Sequence, residues 1–155
     1  MNMFYLDSKY LKNAEYHVDS HVGKIILEVA QMMCVPYHLQ GITSPYKKSH
    51  ENHPTCKWVR ESWENYQWTA LYASALHDEF KYRRNKSHKS YDVVRWCIDN
   101  VHQLKFDKME LTPFALAMPE QYKTSCPITA YRAYYKNEKQ HLFKWTGRNR
   151  PDWLD

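Results

Sequence analysis

At 155 residues the chain is about the length of one ordinary domain, long enough to bury a core, and at 43% hydrophobic residues it is too apolar to be disordered. Three glycines, Gly23, Gly41 and Gly147, are too few for an all-β fold with its many tight turns, and they form no glycine-rich phosphate loop. A formal charge of +5, before any of nine histidines is protonated, suits polyanionic partners as well as plain solubility, and the 6 Trp and 13 Tyr supply rings for a core or for stacking on bases.

The first predicted element follows a short apolar lead-in, Met3 to Leu6. Asp7 and Ser8 are candidate N-caps for a helix over about 9–17. From Ser20 to about Cys34 the apolar residues Val22, Ile25, Ile26, Val29, Met32 and Met33 fall at the spacing of a buried helix stripe, and Pro36 is expected to end it. On another face His17, His21, Lys24 and Glu28 recur at three- and four-residue intervals, which makes one polar ridge if the helix is continuous. Residues 36–54 have loop composition and close on Asn52-His53-Pro54, where proline suits the first turn of a helix running from about 54 to 84. Val59, Trp63, Tyr66, Ala70, Ala73 and Phe80 give that helix its inward face.

Residues 81–89 are strongly basic. A third long helix is predicted over about 90–103, an irregular stretch holding Pro113 and Pro119 over 104–126, and a last helix over about 127–140. The end, residues 143–153, is aromatic and basic. The expected fold is all-α: a compact single-domain bundle of three to five helices, with a long central helix and long irregular loops. The cysteines Cys34, Cys56, Cys97 and Cys126 form no C-x-x-C pair, so free thiols are expected, and no apolar run approaches a membrane span. Asp7 and Lys9 within the first ten residues speak against a signal peptide, so the expected location is cytoplasmic, the host's cytoplasm if the protein is viral.

Three constellations carry chemistry. The His17–His21–Lys24–Glu28 ridge lacks the glutamate that a zinc protease places directly after its first histidine, since Val18 stands there; it suits phosphate binding or proton transfer, a solvated face or, with further ligands supplied, a metal. His50, Asn52 and His53 sit where a helix N-terminus attracts anions, although Asn52 equally suits a plain cap and His53 a packed side chain. The basic aromatic stretches 81–89 and 143–153 combine phosphate neutralisation with base stacking, or form a charged turn and a packed tail.

The segment Ala14-Glu15-Tyr16-His17, the helix order, the long helix opened by Asn52-His53-Pro54 with Trp58 behind it, and the end carrying Phe143, Lys144, Trp145 and Gly147 resemble the phage pyrimidine-dimer DNA glycosylase (endonuclease V) family. The Tyr16-His17…His21…Lys24 segment is also similar to uncharacterised T-even-like and cyanophage proteins. The resemblance covers about residues 10–150. It implies an N-terminal amine that attacks the sugar carbon of a damaged nucleotide, a Schiff base, and an assisting glutamate; an α-amine, with a pKa of about 8, is partly neutral near pH 7. Aligned on Ala14-Glu15-Tyr16, the family's basic residues fall on His17 and His21, and its catalytic glutamate falls on Val18. The carboxylate must then come from Glu28 on the ridge or from Asp19, which lies about 100° round the helix from Val18. Asn2 is larger than the residue the family exposes after methionine removal, so Met1 itself is expected to supply the amine.

The expected catalytic set is Met1, His17, His21 and Glu28. The expected phosphate or nucleotide contacts are Lys24, Asn52, His53, Arg60, Arg83, Arg84, His88, Lys89, Lys144 and Trp145, with no metal and no cofactor. The partner expected is DNA or a nucleotide. The alternatives are a phage enzyme acting on a nucleotide or nucleotide signal through its histidines, and a non-catalytic module that binds DNA or a nucleotide.

Overall fold

The apolar stripe of the second helix decides the architecture. Val22, Ile25, Ile26, Val29, Met32 and Met33 are all buried, on a helix that a computed structural model, describing residues 2–155, carries from Asp19 to Leu39. This helix, α2, follows a short α1 (Tyr10–Tyr16) and precedes α3 (Pro54–Glu61), α4 (Trp63–Arg84), α5 (Ser90–Asp99) and α6 (Pro127–Glu138). Among the described residues there is no strand, and the fold is all-α. α2 and α4 pack against each other at the centre; α1 lies on α4, and α5 lies on α2. Short 3₁₀ turns at Val101–Gln103, Glu120–Tyr122, Gln140–Leu142 and Asp152–Leu154 punctuate the rest. Among the described residues no helix is long and apolar enough to cross a membrane, and all four cysteines are free.

Three boundaries differ from expectation, the simplest at α5, which ends at Asp99 and gives way to the 3₁₀ turn Val101–Gln103 instead of running to 103. Pro36 does not stop α2, which continues one more turn. Proline removes one backbone donor, but it sits in the last turn, where Val35, Pro36 and Tyr37 are buried and the Tyr37 hydroxyl donates to Cys97 O at 2.7 Å. Tertiary packing outweighs the lost bond. The long helix expected over 54–84 is broken at Ser62, whose backbone is extended (φ −144°, ψ 162°), so the described residues form six α-helices. The Ser62 hydroxyl accepts from Asn65 N–H at 3.0 Å, as a helix cap does. The break admits the 104–126 segment: Trp63 N–H donates to Lys108 O and Glu64 N–H to Met109 O, each at 3.0 Å, while the Asn65 side chain bridges Trp58 O and Thr112.

The lead-in is extended and runs into the core. Phe4 stacks on His21 with ring centres 4.8 Å apart and meets Tyr135 edge-on, and Tyr5 stacks on Phe114 beside Trp58 and Trp68. Leu6 N–H donates to Asn13 Oδ1 at 2.9 Å, which ties the lead-in to α1. Residues 2–6 are thereby threaded between α2, α3 and α6, which brings the second residue to the candidate site.

Candidate functional site

The first member of the polar ridge falls before α2 begins. His17 is the C-cap of α1, and the extended backbone of His17 and Val18 separates α1 from α2, so the helix is not continuous across the ridge. His17 is fully buried. Its Nδ1–H donates to Asn13 O at 2.6 Å; because a neutral imidazole carries one proton, Nε2 accepts from the Tyr72 hydroxyl at 2.7 Å, and that oxygen accepts from Phe4 N–H at 3.3 Å. Burial lowers the pKa of His17 to about 3. The expectation that His17 is catalytic is therefore corrected: it is a satisfied core histidine.

The other three ridge residues do converge. His21, Lys24 and Glu28 of α2 line a cavity of about 240 Å³ with Asn2 and Phe4 of the lead-in, His53 at the start of α3, and Tyr134 and Lys139 at the end of α6. Glu28 Oε2 accepts from Asn2 N–H at 3.1 Å. Met1 lies outside the described residues, and it is bonded to that same Asn2 nitrogen. His21 Nδ1 lies 2.8 Å from the Tyr135 hydroxyl, which also accepts from Val18 N–H at 2.9 Å. Burial, then the charges of Lys139, Lys24 and His141, lower the pKa of His21 to about 4. Positive charge in the cavity thus comes from Lys24 and Lys139 rather than from imidazolium. Lys139 Nζ lies 5.1 Å from the Tyr134 ring centre and 5.8 Å from that of Phe4, within cation–π range. His53, not Asn52, caps α3: its Nδ1 accepts from Thr55 N–H at 3.2 Å, and burial lowers its pKa. Asn52 is exposed and does not line the cavity.

The two buried histidines give the fold an acid-labile window. Each is neutral when folded and titrates near the ordinary 6.5 when unfolded. Their contribution is complete above that value and is lost as pH falls toward the folded values of about 3 and about 4. Together they are expected to lower unfolding free energy by about 3 kcal/mol between pH 6.5 and pH 5. His53, His77 and His88, also lowered first by burial, act in the same direction. Urea titrations at a series of pH values check this; His17→Gln is expected to remove about half of the slope.

Most of the other expected contacts are spent inside the fold. Arg60 donates to Glu51 O at 2.6 Å and to Cys56 Sγ, and the Trp145 indole donates to Tyr16 O at 2.9 Å. His88 Nδ1 accepts from Ser90 N–H, and the His88 backbone N–H donates to His77 Nε2. Arg83, its side chain 1% exposed, donates to Glu79, Asp19, Glu15 O and His17 O. These four residues hold segments together and do not face the cavity, a correction to their expected role as ligand contacts. Asp19 accepts from the backbone and hydroxyl of Thr146 as well as from Arg83, so it clasps the tail and is unsuited to act as the carboxylate. Arg84, Lys89 and Lys144 are exposed; Arg84 and Lys144 line a wider cleft of about 630 Å³ with Ser20, His141 and Phe143.

Asn2, Tyr134 and Lys139 are the site residues that no local pattern marked. Tyr134 reads as one more aromatic of a helix face, and Lys139 reads as a helix-end cation. Among the described residues no group of three or more His, Cys, Asp or Glu side chains is placed to hold a metal ion. Comparison of the chain with protein-family profiles, characterised proteins and solved structures finds no match.

Proposed function

We propose that this chain is a DNA glycosylase with lyase activity, acting on a damaged or modified pyrimidine nucleotide in DNA through the α-amine of Met1. The observation that carries the reading is the Glu28 carboxylate bound to the amide of the second residue, inside a cavity that also holds two lysine side chains. A carboxylate and two ammonium groups in one cavity, beside the residue that follows Met1, suit imine chemistry by its amine on a phosphate-bearing sugar. The volume, about 240 Å³, is below the range of about 300–1,000 Å³ common for drug-sized ligands and suits a single extruded sugar or base. The resemblance to the pyrimidine-dimer glycosylases supports the same chemistry, and Glu28 takes the role that Val18, buried in the core, cannot fill.

The neutral amine attacks C1′, and the glycosidic bond breaks with its electron pair leaving on the base, which takes up a proton. The attached nitrogen loses a proton, and its lone pair then opens the sugar ring: the C1′–O4′ bond breaks, O4′ takes up a proton, and C1′ is left as an iminium. Glu28 then takes a proton from C2′, the 3′ phosphate departs, and water hydrolyses the imine to regenerate the amine. Lys24 and Lys139 attract the flanking phosphates. With an abasic duplex and borohydride, a reduced covalent adduct at Met1 is expected, and acetylation of the α-amine abolishes it. A protein with a free amine that yields no adduct overturns the proposal, whereas salt-sensitive DNA binding without turnover points to a non-catalytic module. The histidine-driven nucleotide enzyme is less well supported, because His17 is outside the cavity and His21 titrates near 4, far from the working pH.

A further inference from the structure

We infer that Asn2 is the positioning residue of this site, anchoring the backbone that carries the nucleophilic amine; this rests on the glycosylase–lyase reading above. Chain termini are normally poorly ordered unless tied down, and here the second residue is tied by four hydrogen bonds. Its N–H donates to Glu28 Oε2 at 3.1 Å, its Nδ2 donates to Ala117 O at 2.9 Å, and its Oδ1 accepts from Met3 N–H at 2.8 Å and Thr55 Oγ1 at 3.2 Å. The partners outside the lead-in come from three separate segments: α2, the first turn of α3, and the 104–126 segment. Thr55 is buried.

The chemistry is specific to an amide of this length. One terminal atom must donate to a carbonyl while the other accepts twice. Aspartate keeps the acceptor but sets a carboxylate oxygen against Ala117 O; alanine keeps only the backbone bond to Glu28. A misplacement of about 1 Å at a reacting group costs on the order of 100-fold in rate, so the anchor acts on the chemical step rather than on DNA affinity.

The test compares the full-length chain with Asn2→Ala, Asn2→Asp and Thr55→Val by two readouts. The first is the single-turnover rate of borohydride trapping on an abasic duplex, with the dissociation constant for that duplex measured alongside. The second needs no activity: the rate at which 2-pyridinecarboxaldehyde labels the N-terminus, a reaction that consumes both the α-amine and the amide nitrogen of residue 2. Asn2→Ala and Asn2→Asp are expected to trap about 10- to 100-fold more slowly at unchanged DNA affinity, and to label faster than the wild type by about the same factor as the anchor is released. Thr55→Val, which removes one bond, is expected to give a smaller change of the same sign and serves if the Asn2 variants do not fold. Variants that trap and label at wild-type rates overturn the inference. A wild type that forms no adduct overturns the glycosylase–lyase reading, while the labelling comparison still decides whether Asn2 holds the terminus.

Discussion

Glu28→Gln is expected to lower the single-turnover rate of strand cleavage at an abasic site by about 10²- to 10⁴-fold, the range typical for loss of a positioned general acid–base group. Glutamine keeps the size of the side chain and one carbonyl oxygen, so the bond from Asn2 N–H can persist and the fold is retained. What is lost is the ability to take the C2′ proton. The matching control is Asp19→Asn. Asp19 was the other carboxylate in range by sequence, but it is bound to Thr146 and Arg83. Its substitution is expected to leave cleavage within a few-fold of wild type and to cost about 1–2 kcal/mol through weakened charge-assisted bonds. If Asp19→Asn abolished cleavage and Glu28→Gln did not, the assignment of the carboxylate would be reversed.

The helices were legible because their signal is local. The stripe from Val22 to Met33 has one period and one buried face, and the same helical period sets His21, Lys24 and Glu28 side by side on a neighbouring face toward the cavity. His17 failed at a chain corner. The pattern of threes and fours runs through it, but Val18 and His17 are extended and α2 starts at Asp19. A helix-start signal was present there, since Asp19 and Ser20 are both residues that favour a first turn. Ser62 carried the same kind of signal inside the helix expected over 54–84. At Ser62 a continuous apolar period concealed a cap; at Val18, which caps α2 without a side-chain bond, a polar period ran across a chain corner.

The cations show a different limit. Composition counts Arg83 and Arg84 alike, yet one is enclosed by Glu79, Asp19 and two carbonyls while its neighbour is exposed. Glu79 is a helical neighbour, but the partners Glu15, His17 and Asp19 come from a distant corner of the chain and leave no mark in the local sequence of residues 81–89. For the same reason Asn2 and Lys139 reach the cavity through contacts more than a hundred residues apart in sequence, as in the bond from Asn2 to Ala117.

Arg83→Met is expected to destabilise the protein by about 3–5 kcal/mol, because it breaks a buried ion pair by removing one partner. The neighbouring Arg84→Ala is expected to stay within about 0.5 kcal/mol of wild type. Arg83 joins the end of α4 to the corner between α1 and α2 and, through Asp19, to the tail. Glu79 retains Arg148, at 2.9 Å and 3.1 Å, so the carboxylate is not abandoned; the two carbonyls of Glu15 and His17 are. Burial alone would raise the Glu79 pKa, but hydrogen bonds from Arg148 and Arg83 more than offset it and hold it low. The arginines thus outweigh the desolvation of that carboxylate. Urea midpoints for the two variants measure the difference, and hydrogen exchange locates it: loosening is expected at residues 15–19 and 143–148 before it reaches the centre of α2. A loss below about 1 kcal/mol would mean that the cost of burying Arg83 nearly cancels its bonds, and the corner would then owe its shape to the packing of His17 and Tyr72 instead.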